Sequence, residues 1–164
     1  MKSSQENGTK CGRLKLGVLR DNLGYLSRVT RNVVTQTSGE FVDDMKFATG
    51  QMTLLGLIAA NDGVSQNDLA RALLMRKSQV TELIQDLVLR GLVDRNEAGN
   101  DRRFNVLSLT KAGAVAWRQA RTRIVRHTER LQAGLEPAER EELNRLLRKL
   151  IATNLRDADL DFSE

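Results

Sequence analysis

The sequence predicts a mainly α-helical fold that carries one small β-hairpin, and three features point to it. Apolar residues recur at helical steps of three and four over most of the 164 residues. Only one proline, Pro137, interrupts that pattern, so long helices are allowed almost throughout. The exception is "GLVDRNEAGNDRRFNVLSL" (Gly91–Leu109), where Asn96, Gly99, Asn100 and Asp101 place turn chemistry between two short mixed apolar runs.

Residues 1–12 are polar and glycine-containing and read as a flexible arm. From there Leu16, Leu19, Leu23, Leu26 and Val33 keep to one helix face, with an end expected near Gly39. "TGQMTLLGLIAAND" predicts a short helix with Met52, Leu55 and Ile58 or Ala59 inward, stopped by "NDG". Ser65 is placed as an N-cap, with Asp68 three residues on able to reach back, a variant of the capping box. After the short helix "SQNDLARAL" and a tight connection, "KSQVTELIQDLVLR" buries Val80, Leu83, Ile84, Leu87 and Val88 and stops at Gly91. Two helices so joined, the second longer, make a helix-turn-helix, and the hairpin that follows makes it a winged helix.

After Thr110 a long helix carries Trp117, Ala120, Ile124, His127 and Leu131 on one stripe. A last helix begins after Pro137 and aligns Leu143, Leu146, Leu147, Leu150 and Ile151. The first helix and these two lie outside the winged helix in sequence. Their apolar faces need a partner surface, and a second copy of the chain supplies one. The expected organisation is therefore a winged helix-turn-helix lobe over 41–109, a helical dimerisation region over 13–40 and 110–155, and an acidic tail over 156–164.

Composition narrows the function. A net charge of +5 favours an anionic partner, while aromatic residues at 4% argue against the stacking platforms that hold single strands. One histidine and one cysteine, with no glycine-rich phosphate loop, make an enzyme or a metal centre unexpected, and no cofactor is implied. No apolar stretch approaches the roughly 18 residues of a membrane span, and the start lacks the apolar segment of a secretory signal, which points to the cytoplasm.

The run "LARALLMRKSQVTELIQDLVLRGLVDRNEAGNDRRFNVLSLTKAG" (Leu69–Gly113) resembles the MarR family of bacterial transcription regulators. It carries "RGLV" at the close of the second helix, "DRR" at the hairpin tip and "LSLT-x-AG" leading into the long helix, and the helix order on both sides fits over about residues 14–155. The resemblance implies a homodimer with intertwined terminal helices, whose two winged-helix lobes read a pseudo-palindromic operator in double-stranded DNA. It further implies a repressor released by a small anionic or aromatic ligand, here expected to be an aromatic or acyl carboxylate, or by cysteine oxidation. Two positions depart from the family pattern: Leu74 stands in the turn where glycine is common, and Glu82 where a basic residue is frequent.

On this reading Arg76, Lys77, Ser78, Gln79, Thr81 and Glu82 face the major groove. Gln79 can pair with adenine, Lys77 can reach guanine or phosphate, and Glu82 can accept from cytosine. Asp101, Arg102 and Arg103 form a self-supporting tip, in which Asp101 can pair with an arginine and hold the loop, leaving guanidinium free to enter the narrow minor groove. The helices that line the family's pocket nominate Tyr25, Arg28, Met45, Phe47 and Arg118 for the effector, through a hydroxyl on an apolar body and charge-assisted bonds. Cys11, flanked by Lys10 and Arg13, is the alternative sensor, although the tyrosine-rich surroundings of the family's oxidation-sensing branch are missing. A winged helix used for protein contacts is the other alternative. His127 is expected as a packed residue. Between Lys111 and Arg130, six basic residues (Lys111, Arg118, Arg121, Arg123, Arg126, Arg130) face only Glu129, an excess equal to the whole net charge. They form a solvated face, or pair with Glu139, Glu141 and Glu142 of the next helix, or make an anion site.

Overall fold

A computed structural model describes residues 14–48, 50–97, 105–155 and 160. The chain divides into two compact units, residues 1–37 and 38–164. The first holds a short 3-10 helix, Gly17–Asp21, and most of helix α1, Leu23–Met45. The break between them falls at Asn22, whose side-chain Oδ1 accepts the Tyr25 N–H at 2.9 Å. Leu16 and Leu19 therefore precede α1 instead of opening it. Gly39 does not end the helix either. Glycine inside a helix costs only about 1 kcal/mol, and α1 continues to Met45, where Lys46 turns the chain at φ +52°.

The second unit continues with α2 (Gln51–Ala60), β1 (Val64–Ser65), α3 (Gln66–Ala72), α4 (Lys77–Leu89), β2 (Val93–Glu97), β3 (Asn105–Leu109), α5 (Lys111–Leu131) and α6 (Pro137–Asn154). The strands form one antiparallel sheet in the order β1-β3-β2. The hairpin is thus the larger part of a three-stranded sheet. Its third member, Val64 opposite Leu107 and Ser65 opposite Val106, is too short to show any alternation in sequence.

Leu54, Leu55 and Ile58 of α2, Leu69 of α3, Val80, Ile84 and Leu87 of α4, Val93 and Leu107 build the core, each no more than 1% exposed. Burial of each such side chain contributes about 2 kcal/mol. Of the alternatives Ile58 and Ala59 it is Ile58 that faces inward while Ala59 is exposed, Leu54 joins the core beside it, and Met52, Leu83 and Val88 pack at the core's edge.

The passage from α4 into the hairpin and back into α5 is closed by four contacts. Gly91 turns at φ +67° and its N–H reaches the Val88 carbonyl at 2.9 Å. The Thr110 hydroxyl donates to the Gly91 carbonyl at 2.7 Å and accepts the Gly113 N–H at 2.9 Å, capping α5. The Thr110 N–H donates to the Leu92 carbonyl at 3.1 Å. "RGLV" and "LSLT-x-AG", widely separated in sequence, therefore meet.

Candidate nucleic-acid interface

Ser65 caps α3 as expected: its Oγ accepts the Asp68 N–H at 3.1 Å and its hydroxyl donates to Asp68 Oδ2 at 2.6 Å. Asp68 also pairs with Arg71. The Ser65 hydroxyl, followed by Arg71, holds the Asp68 carboxyl below the usual carboxylate range. The turn to α4 passes through Leu74 at φ +52°, a left-handed conformation that costs an L-residue about 1 kcal/mol. The Met75 N–H donates to the Ala70 carbonyl at 3.0 Å, which holds the turn in place of a glycine.

Because Val80, Ile84 and Leu87 point inward, the opposite face of α4 is left to solvent. Arg76, Lys77, Ser78, Gln79 and Glu82 are exposed, and Thr81 is half-buried with its hydroxyl donating to the Lys77 carbonyl at 2.8 Å. Gln79 is already engaged at the start of α4, where its Oε1 accepts the Arg76 N–H at 3.2 Å. Gln85, exposed seven residues after Ser78, extends the same face. Helical spacing from Ser78 contains that signal.

A polar clasp ties this helix to the start of α2. Gln51, 1% exposed, donates from Nε2 to Asp86 Oδ2 at 2.7 Å and to the Leu83 carbonyl at 3.3 Å. Its Oε1 accepts the Ala48 N–H at 2.8 Å. Arg90 donates to the Lys46 carbonyl at 2.9 Å, pairs with Asp86 at 3.5 Å and lies 4.6 Å above the Phe47 ring. None of these residues announces itself in sequence, since a buried glutamine has no periodic signature.

In the hairpin, Asn96 donates to the Ser108 hydroxyl at 3.0 Å across the strands. The tip residues Asp101, Arg102 and Arg103 lie outside the described residues, as do Cys11 and the Met45 side chain. Of the other nominated effector residues, Tyr25 (half-buried) and Arg28 (exposed) belong to the first unit. Phe47 is a core residue beneath Arg90, and Arg118 is exposed on α5. His127 is half-buried on the same helix.

Two of the glutamates expected against the basic stretch of α5 act within their own helix. Glu139 accepts the Glu136 N–H at 2.8 Å, and Glu142 holds Arg145 through both carboxylate oxygens at 2.7 Å. Local partners three residues away outcompete those on another helix, because their separation is set by the helix itself. Among the described residues no cluster of acidic, histidine or cysteine side chains is arranged to hold a metal ion, and no helix is long and apolar enough to cross a membrane.

A sequence model of the MarR family matches residues 43–103. The chain is 30% identical to the homoprotocatechuate degradative operon repressor of Escherichia coli over 67% of its own length and 75% of that protein's. It is 28% identical to a putative transcriptional regulatory protein for the hcr operon of Thauera aromatica, over 88% of this chain and 82% of that one. Among solved structures it is similar to the transcriptional repressor CouR bound to a 23-mer DNA duplex, at a TM-score of 0.78 and 28% identity, covering 84% of this chain and 98% of that one.

Proposed function

The chain belongs to the MarR family of transcription regulators, which are not enzymes, and we propose that it is a homodimeric repressor of the cytoplasm. Its two lobes bind a pseudo-palindromic operator in double-stranded DNA, and a small aromatic or anionic ligand releases them. The observation that carries this reading is the outward polar face of α4, from Arg76 through Gln85, beside a β-hairpin. The family relationship and the likeness to a repressor bound to duplex DNA support the same reading.

The dimer rests on apolar faces that the single chain leaves open. Leu143, Leu146, Leu147, Leu150 and Ile151 of α6 are 37–48% exposed, and Leu23, Leu26, Val29, Val33 and Val34 of α1 are 40–54% exposed. Stripes of this extent on helices mark association surfaces. Residues 13–40 and 110–155 serve that dimerisation and 41–109 the reading of DNA, with Asp101, Arg102 and Arg103 as the wing tip. The effector is an aromatic or acyl carboxylate, for which Tyr25, Arg28, Met45, Phe47 and Arg118 are the candidate contacts.

Affinity for operator and for scrambled duplex, measured against salt, tests the reading. Each phosphate neutralised releases counterions and steepens the slope. Arg103→Ala is expected to weaken both duplexes together and to lower the slope by about one unit. Gln79→Ala is expected to cost roughly 1–3 kcal/mol on operator and much less on scrambled DNA. A wild-type chain whose affinity for duplex DNA ignores salt would overturn the proposal in favour of a protein-contact module.

A further inference from the structure

Helix α2, strand β3 and helix α5 border an open groove of about 320 Å³, at the small end of the range in which proteins hold metabolites. Ile58, Leu109 and Ala114 give it apolar lining, and the indole of Trp117 adds an aromatic wall. Asp62, just beyond the end of α2, and Arg118 of α5 border the same cavity. Both are exposed. Among the described residues neither side chain has a hydrogen-bond or ion-pair partner, and they do not pair with each other.

This arrangement selects against a simple ion. An anion drawn to Arg118 is repelled by the Asp62 carboxylate, and a cation drawn to Asp62 is repelled by the guanidinium. A molecule with both signs close together satisfies both, each through a charge-assisted bond, and leaves the site neutral. Its remaining body must be apolar to match Ile58, Leu109 and Trp117.

We propose that this cavity binds a small apolar α-amino acid as its zwitterion. The carboxylate lies on the Arg118 guanidinium, the ammonium on the Asp62 carboxylate, and the side chain against Trp117 and Ile58. Arg118 is also a candidate contact of the proposed effector, so the two readings are alternatives at this residue, and a single-charge carboxylate that binds as tightly as the zwitterion favours the effector. Release of DNA is what an effector must cause, whereas binding alone is at issue here.

Trp117 is the only tryptophan, so its emission reports occupancy directly in the full chain without DNA. L-phenylalanine and L-leucine are expected to change that emission saturably. Two analogues with one charge each, 3-phenylpropionate and phenethylamine, are expected to bind about tenfold or more weakly than L-phenylalanine, since each forfeits a charged hydrogen bond. Asp62→Asn should lower L-phenylalanine affinity to the level of 3-phenylpropionate, and Arg118→Gln to that of phenethylamine, with thermal midpoints held because both side chains are exposed. Any of three results overturns the proposal: no saturable change up to roughly 10 mM amino acid, weaker than most metabolite sites; single-charge analogues binding as tightly as the zwitterion; or both variants retaining wild-type affinity. Failure here leaves release of DNA by a carboxylate effector standing, and failure of that release leaves this site standing.

Discussion

An added methyl at Gly113 would lie 1.9 Å from the Leu92 carbonyl oxygen, so the residue's value is the absence of a side chain where α5 begins against the hairpin's entry. The obstacle is backbone and cannot rotate away. Gly113→Ala is expected to destabilise the lobe by roughly 2–3 kcal/mol, read as a lower urea midpoint at unchanged m-value. Asp68 makes a pH-dependent contribution of known sign. Its carboxyl is held below its ordinary value by the Ser65 hydroxyl and Arg71, so the stability it adds is complete above the unfolded-state pKa. That stability is lost as pH falls through the lower folded-state pKa. The stability difference between wild type and Asp68→Asn should therefore shrink on acidification from neutral pH, in urea titrations at stepped pH. Solvent exposure keeps the difference small.

At the scale of elements, α4 is held by its C-terminal half as well as by its core face. Gln51 has both amide protons and its oxygen engaged while 1% exposed. Gln51→Leu keeps the volume but strips the partner from the Ala48 N–H and one from Asp86. A cost of about 2 kcal/mol is expected, together with weaker operator binding from a less well-fixed α4. Arg90→Ala removes the bond to the Lys46 carbonyl and the cation over Phe47, with an expected cost of about 1–2 kcal/mol. Because neither residue lies on the exposed face of α4, both variants should keep the wild-type salt slope. A lowered slope would place them on the DNA.

For the whole molecule, the proposed dimer puts two recognition helices roughly 34 Å apart, one turn of duplex. Introducing charge on the α6 stripe, as in Leu146→Glu with Leu150→Glu, should convert a sedimenting dimer to monomer. The core of the reading lobe draws no residue from α6, so its cooperative unfolding should survive. Operator affinity should fall steeply, since each half-site is then bound alone. A wild-type chain that sediments as a monomer at every concentration and still binds operator with full affinity would refute the dimer.

What could be read without the fold was whatever repeats along the chain or is decided by neighbours in it. The helical stripes of α4, α5 and α6, the Ser65 cap and the stop at Gly91 are of this kind, because backbone geometry within one turn fixes which side chains meet. The polar face of α4 followed from the same periodicity, since whatever does not face the core must face outward. Contacts between distant segments left no such trace. Val64 and Ser65 are a strand only because β3 runs beside them, and Gly113 matters only because Leu92 arrives there. Gln51 is buried only because Asp86 and the Leu83 carbonyl satisfy its amide. Gly39 and Leu16 misled for the reciprocal reason. A local preference worth about 1 kcal/mol marks where a helix could stop, and the boundaries fall instead at the Asn22 cap and the left-handed Lys46. Which charges lack a partner among the described residues, as Asp62 and Arg118 do beside one cavity, is likewise decided only when three elements come together, because a charge finds its partner in space and not in sequence.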